Sequence, residues 1–245
     1  MTIKLVGFDL DDCLFDSTGL SLKARLKGIE AMIKLGLEIK KEEAKKILSE
    51  IVEEYGSNFS KHFNYFIRRL NLVHENINLS YNMQYKYIAA AVMAYHKEKI
   101  ESICLYDDVK ECLSNLRERN IKTAIITDGI PIKQYEKILR LEIDHLIDLV
   151  LITDQIGIRK PNPSLFEYCL KKFNVKGQET IYIGDRLDKD IEPALKNGIH
   201  SIFIHRGGKY DLPSEFEDKG QNIKPTYEIN SLDEIVEIIS DINSK

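Results

Sequence analysis

The chain has 245 residues, 43% of them hydrophobic, enough to bury one large core or one core with an insert. Lys and Arg number 35 against 39 Asp and Glu, a net charge of −4 with the signs interspersed, which leaves no basic face for nucleic acid or an anionic membrane. Four cysteines without C-x-x-C spacing (Cys13, Cys104, Cys112, Cys169), no basic-then-apolar leader, and a longest apolar run, Tyr87–Tyr95, too short to cross a bilayer together predict a cytoplasmic protein with reduced thiols.

The run Lys4–Phe15 is apolar until it meets Asp9, Asp11 and Asp12, and it reads as a buried strand with acid at its tip. Alternation along a strand turns Asp9 and Asp11 the same way and Leu10 back into the core. Two carboxylates about 4 Å apart repel by roughly 4 kcal/mol at an effective dielectric near 20, so the pair calls for a cation or a shared proton. About ninety residues of helical spacing follow, an insertion after the first strand. Leu22, Leu26, Ile29 and Ile33 mark a helix from Ser17 to Gly36, and Ala44, Ile47, Leu48, Ile51 and Val52 mark one over Glu42–Tyr55. A third is predicted over Ser60–Leu70. After a polar link, Asn71–Ser80, a fourth carries Tyr81, Tyr85, Ile88, Val92 and Tyr95 inward and ends near Ile100. Together they make a small helical bundle, with its tyrosines read as packing residues.

From Tyr106 strands alternate with helices, the pattern of a doubly wound parallel α/β sheet. A helix is predicted over Asp107–Arg119, and strands over Lys122–Thr127, Leu146–Thr153, Glu179–Ile183, His200–His205 and Thr226–Ile229. Further helices start near Pro131, run through Lys172, reach about Asn197, and close the chain from Ser231 to about Ile242. Gly207–Pro225 reads as a surface loop. In such a sheet ligands bind beyond the carboxyl ends of the strands. The residues there are Asp9 and Asp11, then Thr127-Asp128-Gly129, then Lys160, then Asp185 and Asp190. Acids, a lysine and a hydroxyl converging on one crevice suit a magnesium ion and a phosphate group.

These stretches resemble the motifs of the haloacid dehalogenase-like hydrolases, specifically the phosphatase branch with a helical cap inserted after the first strand. Asp9-Leu10-Asp11-Asp12-Cys13-Leu14 matches the first motif, Thr127 the second, Lys160-Pro161 the third and Gly184-Asp185 through Asp190 the fourth. Cys13 stands where the family has Thr or Val, a position that packs the loop. The resemblance implies a Rossmann-like core of residues 1–15 and 102–245 with a cap domain of residues 16–101. It also implies roles: Asp9 the nucleophile, Asp11 the general acid and base, Thr127 with the Asp128 and Gly129 amides the phosphate cradle, and Lys160 the balancing charge. Asp9, Asp11 and Asp185 would hold Mg2+, supported by Asp190.

The function so implied is magnesium-dependent hydrolysis of a small phosphate ester through an aspartyl phosphate. Phosphoglycolate, glyceraldehyde 3-phosphate, sugar phosphates and nucleotides are all open as substrates. A phosphomutase of the same branch is the alternative. A 2-haloacid dehalogenase is disfavoured because the chain keeps Asp11, and a non-catalytic phosphate-binding module because no motif is missing. The insert, leaving and rejoining the core beside the catalytic strand, is expected to act as a lid. Monomer and homodimer are both compatible with the sequence.

Overall fold

The computed structural model describes residues 2–73, 79–208, 211 and 223–244. Residues 74–78 of the expected link, and most of the expected surface loop between Gly207 and Pro225, lie outside the described residues. The chain divides into two compact units, Met1–Thr18 with Ile103–Lys245, and Gly19–Ser102.

The first unit is built on a six-stranded, wholly parallel sheet. Its strands are β1 (Leu5–Phe8), β2 (Lys122–Thr127), β3 (Leu149–Ile152), β4 (Thr180–Gly184), β5 (His200–Ile204) and β6 (Tyr227–Ile229), in the order β3-β2-β1-β4-β5-β6. Every residue of β1 and β4 is buried, as the near-continuous apolar sequences Leu-Val-Gly-Phe and Thr-Ile-Tyr-Ile-Gly require of central strands covered on both faces. The order reverses at β1, which pairs with β2 on one side and β4 on the other, so the switch point falls where the acid-tipped strand ends.

The connecting helices are α5 (Val109–Glu118), α6 (Pro131–Arg140), the one-turn α7 (Thr153–Ile156), α8 (Pro163–Phe173), α9 (Glu192–Lys196) and α10 (Ile235–Ser244). Several stretches depart from the expectation: Glu179 lies in a 3-10 turn ahead of β4, and the third helix runs over His62–Val73 into the expected link. Leu146 belongs to a 3-10 turn and Thr153 opens α7, which trims β3 at both ends. The segment after Asp185 is a π turn, Leu187–Ile191, before α9. A 3-10 turn, Leu232–Glu234, capped by Ser231, precedes α10.

The second unit contains α1 (Ser17–Lys34, whose first two residues lie in the first unit), α2 (Lys41–Tyr55), α3 (His62–Val73) and α4 (Tyr81–Glu101). Ala44, Ile47, Leu48 and Ile51 of α2 are buried as their spacing predicts, and Gly56 ends the helix at φ 80°. The inward faces of α1 and α4 match the expected ones only in part. In α1 the buried residues are Leu20, Ala24, Arg25, Gly28, Ile29 and Met32; of the expected face Ile29 is buried, Leu26 and Ile33 are half-buried, and Leu22 is 48% exposed. The cause is close approach: a Cβ at Gly28 would overlap the Phe63 ring and stand 3.1 Å from the Ala91 carbonyl. Small residues, invisible to a search for bulky apolar ones, set that face. In α4 Tyr87 and Ala91 are buried and the expected Ile88 and Tyr95 pack half-buried against the same core, whereas Tyr81, Tyr85 and Val92 are exposed. No helix among the described residues is long and apolar enough to cross a membrane.

Candidate active site

β1 delivers three carboxylates, and the structure sends each to a different partner. The Asp9 amide continues the sheet by donating to Ile183 O at 2.9 Å, which fixes its buried side chain beyond the strand end. A tight loop follows. Leu14 N donates to Leu10 O at 3.1 Å and Asp12 N to Phe15 O at 2.9 Å, with Asp12 at φ 62°. The Asp12 carboxylate accepts from the Ser17 hydroxyl and from the Thr18 amide and hydroxyl, so it caps α1. Arg206 ties the loop down: its Nε donates to Cys13 O at 3.0 Å, its fork pairs with Asp108, and its plane lies 4.2 Å over the Tyr106 ring. Cys13 is buried, and burial pushes its thiol well above the ordinary cysteine value, so it fills space and stays un-ionised.

At the centre stand Asp9, Asp185 and Asp190, all buried, each with a carboxylate oxygen within 4.8 Å of the others. Gly184 makes the close packing possible, because a Cβ there would lie 2.5 Å from the Cβ and Cγ of Asp190. Lys160, next to a cis Lys160–Pro161 bond, reaches into the group. Its Nζ donates to Asp9 Oδ1 at 2.5 Å, Asp190 Oδ1 at 2.7 Å and Tyr182 Oη at 3.3 Å, using all three ammonium protons. The Tyr182 hydroxyl in turn lies 3.2 Å from Ile126 O and 3.3 Å from Asp190 Oδ1.

One ammonium cannot neutralise three buried carboxylates. Burial, with Asp190 and Asp11 adding to it, pushes Asp9 up to about 7 in spite of Lys160. Burial and the charges of Asp9 and Asp190 push Asp185 up to about 9. Burial works against the Lys160 ammonium, yet Asp190 and Asp9 outweigh it and hold Lys160 well above its usual value. Hard oxygen donors crowded together with surplus negative charge fit a divalent cation such as magnesium, which would let the carboxyls ionise together.

The Asp11 carboxylate is not one of the three grouped oxygens, where Asp190 stands beside Asp9 and Asp185. Its carboxylate accepts from Lys137 Nζ at 2.7 Å on each oxygen and from Gln134 Nε2 at 3.2 Å. The i, i+2 spacing fixed the strand face but said nothing of α6, which supplies both partners. Thr127 is buried at the end of β2, its hydroxyl accepting from Gln134 Nε2 at 2.5 Å. The Asp128 carboxylate takes the Lys160 amide at 3.4 Å and Lys189 Nζ at 3.3 Å. The Gly129 amide donates to the Thr153 hydroxyl at 3.3 Å. Gln134, Lys137 and Tyr182 went unnoticed in the sequence. A glutamine on the same helical stripe as Ile138, and a tyrosine inside an otherwise aliphatic strand end, were the available signals.

Residues 6–204 match the family model described as haloacid dehalogenase-like hydrolase. The chain is 38% identical over 242 residues to the glyceraldehyde 3-phosphate phosphatase of Methanopyrus kandleri, covering 98% of each chain. It is 40% identical over 237 residues to that of Pyrococcus furiosus, covering 97% of this chain and 93% of the relative. Among solved structures, the HAD phosphatase of Thermococcus onnurineus superposes with a TM-score of 0.61 at 25% identity, covering 97% of this chain and 98% of that one.

Proposed function

The chain belongs to the haloacid dehalogenase-like hydrolases and is a phosphate monoester hydrolase, and from that premise we propose that it cleaves a small phosphorylated metabolite with Asp9 as nucleophile and magnesium as cofactor. The observation that carries this reading is the buried group of Asp9, Lys160, Asp185 and Asp190 at the carboxyl ends of the strands. Magnesium held by Asp9 and Asp185, with Asp190 beside them, would supply positive charge against the repulsion between a carboxylate and a phosphate dianion.

The protein's own groups account for the bonds. Lys160 holds Asp9 Oδ1, leaving Oδ2 to attack phosphorus. As the Asp9–phosphorus bond forms, the ester P–O bond breaks and Asp11 gives its proton to the departing oxygen, since an alkoxide leaves poorly. Asp11 then takes a proton from the water that attacks the aspartyl phosphate, and inorganic phosphate leaves with Asp9 restored. Thr127, whose oxygen already accepts from Gln134, has its own proton to give a phosphoryl oxygen. The Asp128 and Gly129 amides complete the cradle, the latter turning to the phosphate from the Thr153 hydroxyl to which it otherwise donates at 3.3 Å. The helical segment, residues 16–101 in the sequence reading, serves as a cap that admits small molecules and excludes folded phosphoproteins. The free cysteines, with Cys104 exposed, suit the cytoplasm.

Glyceraldehyde 3-phosphate is the first substrate to try, because the two relatives above carry that name and align over nearly all of the chain. The test is a screen of purified protein with magnesium against glyceraldehyde 3-phosphate, phosphoglycolate, sugar phosphates, nucleotides and a phosphoprotein, reading free phosphate. Release from a small ester, lost with chelator, is expected. Isomerised sugar phosphate without free phosphate would replace the reading by a mutase. Equal efficiency on the phosphoprotein would remove the cap's proposed role.

A further inference from the structure

We propose that Lys137, assisted by Gln134, is the positioning residue for Asp11, holding the carboxyl that serves the leaving group in register with the hydroxyl that holds the phosphate. This rests on reading Asp11 as the general acid. Asp11 stands apart from the Asp9, Asp185 and Asp190 oxygens, so it takes its orientation from the chain itself, and α6 provides that orientation.

Lys137 and Asp11 are only partly exposed, at 22% and 31% of their side chains. An ordinary half-exposed ion pair contributes little and fixes little. This one differs in three respects. The ammonium spans both carboxylate oxygens at 2.7 Å, so it sets the plane of the group as well as its place. Lys137 Nζ also stands 5.8 Å from the centre of the Phe15 ring, and Phe15 is buried and bridged to Asp11, so the same loop grips the lysine from two sides. Gln134, one turn earlier on α6, sets its amide nitrogen 2.5 Å from Thr127 Oγ1, 3.0 Å from Asp128 O and 3.2 Å from Asp11 Oδ2, two protons shared among three acceptors.

The geometry serves both halves of the reaction. With Asp11 protonated, one oxygen carries the proton for the leaving group while the other accepts from Lys137. With Asp11 ionised, Lys137 holds it in the same plane to receive the proton of the attacking water. Lys137 itself transfers no proton.

The experiment compares the first turnover on two esters in saturating magnesium. An alkyl ester such as glyceraldehyde 3-phosphate needs a proton on its leaving oxygen, whereas 4-nitrophenyl phosphate does not. For Lys137→Met, release of the alcohol in the first turnover should slow by roughly a hundredfold, the low end of what a general acid contributes, and release of nitrophenolate by less than about threefold. Lys137→Arg, which keeps two donors on the carboxylate, should recover most of the alkyl rate. Asp11→Asn should show the same contrast between esters. Equal slowing of both esters by Lys137→Met, or slowing of neither, overturns the proposal. If Asp11→Asn also fails to distinguish the esters, the general-acid reading falls with it; if Asp11→Asn distinguishes them and Lys137→Met does not, only the proposal about Lys137 falls.

Discussion

Lys160 and Asp9, 151 positions apart in the sequence, meet at 2.5 Å at the end of β1. The same ammonium reaches Asp190, so one buried cation holds the end of β1 to the π turn after β4, whose carboxylates would otherwise repel. Removing one member of a buried charged group typically costs about 3–5 kcal/mol, because its partners stay desolvated. Lys160→Met should therefore lose that order of stability in urea unfolding without magnesium, together with its turnover. A metal-free stability equal to the parent's would mean that the lysine does not hold the site together.

The raised carboxyls set a pH dependence for the metal-free protein. Asp9 at about 7 and Asp185 at about 9 both lie above the ordinary value of 3.8. Between about pH 4 and pH 9 the folded chain thus holds protons that the unfolded chain has released, and stability falls as pH rises through that window. Magnesium competes with those protons, so it should raise the melting temperature more at pH 8 than at pH 5.5. An equal rise at both values would contradict the assignment of these carboxyls as ligands.

Asp108 behaves in the opposite sense. Burial raises it, but hydrogen bonds from Arg206 and the Leu232 amide outweigh burial and hold it below the usual 3.8. Its contribution is therefore complete above the unfolded value and is lost as pH falls through the lower folded one. Asp108→Asn should cost about 3 kcal/mol at pH 7, since it strands the buried Arg206. Parent and variant should converge as pH drops below 4. A gap that stays constant into acid would show that the pair's charge is not what stabilises this corner.

In the helical unit the test is steric. Gly28→Ala inserts a methyl group against Phe63 and the α4 backbone, and overpacking of this kind costs about 1–3 kcal/mol. Leu22→Ala, on the exposed side, should stay within about 0.5 kcal/mol. Chemical denaturation of the two variants decides which face of α1 is inward, and the reverse order would restore the face predicted from bulky residues.

That shift of the α1 face toward its small residues marks where sequence reasoning reaches its limit. The parallel sheet was legible because each central strand is an apolar run closed by polar residues, and the crevice because those closing residues carry acids, a hydroxyl and a lysine. Asp9, Lys160, Asp185 and Asp190 do come together. The pairing of the Asp11 carboxylate with Lys137 was not legible, because the lysine reaches over from α6, 126 positions away. Asp12 as the cap of α1 was hidden for the same reason: a run of aspartates does not say which one turns toward the amides that follow it. The faces of α1 and α4 are set by Gly28, Ala24 and Ala91, whose contribution is the space they leave empty.

The central claim is that the phosphoryl group passes through Asp9, and trapping tests it most directly. Protein mixed with substrate and magnesium, quenched within one turnover and reduced with borohydride, should carry homoserine at position 9 when digested and read by mass spectrometry. The reduced product should be missing from Asp9→Asn, which should also release no phosphate. Steady phosphate release from the parent with an unmodified Asp9, or with the phosphoryl group on another residue, would contradict the account.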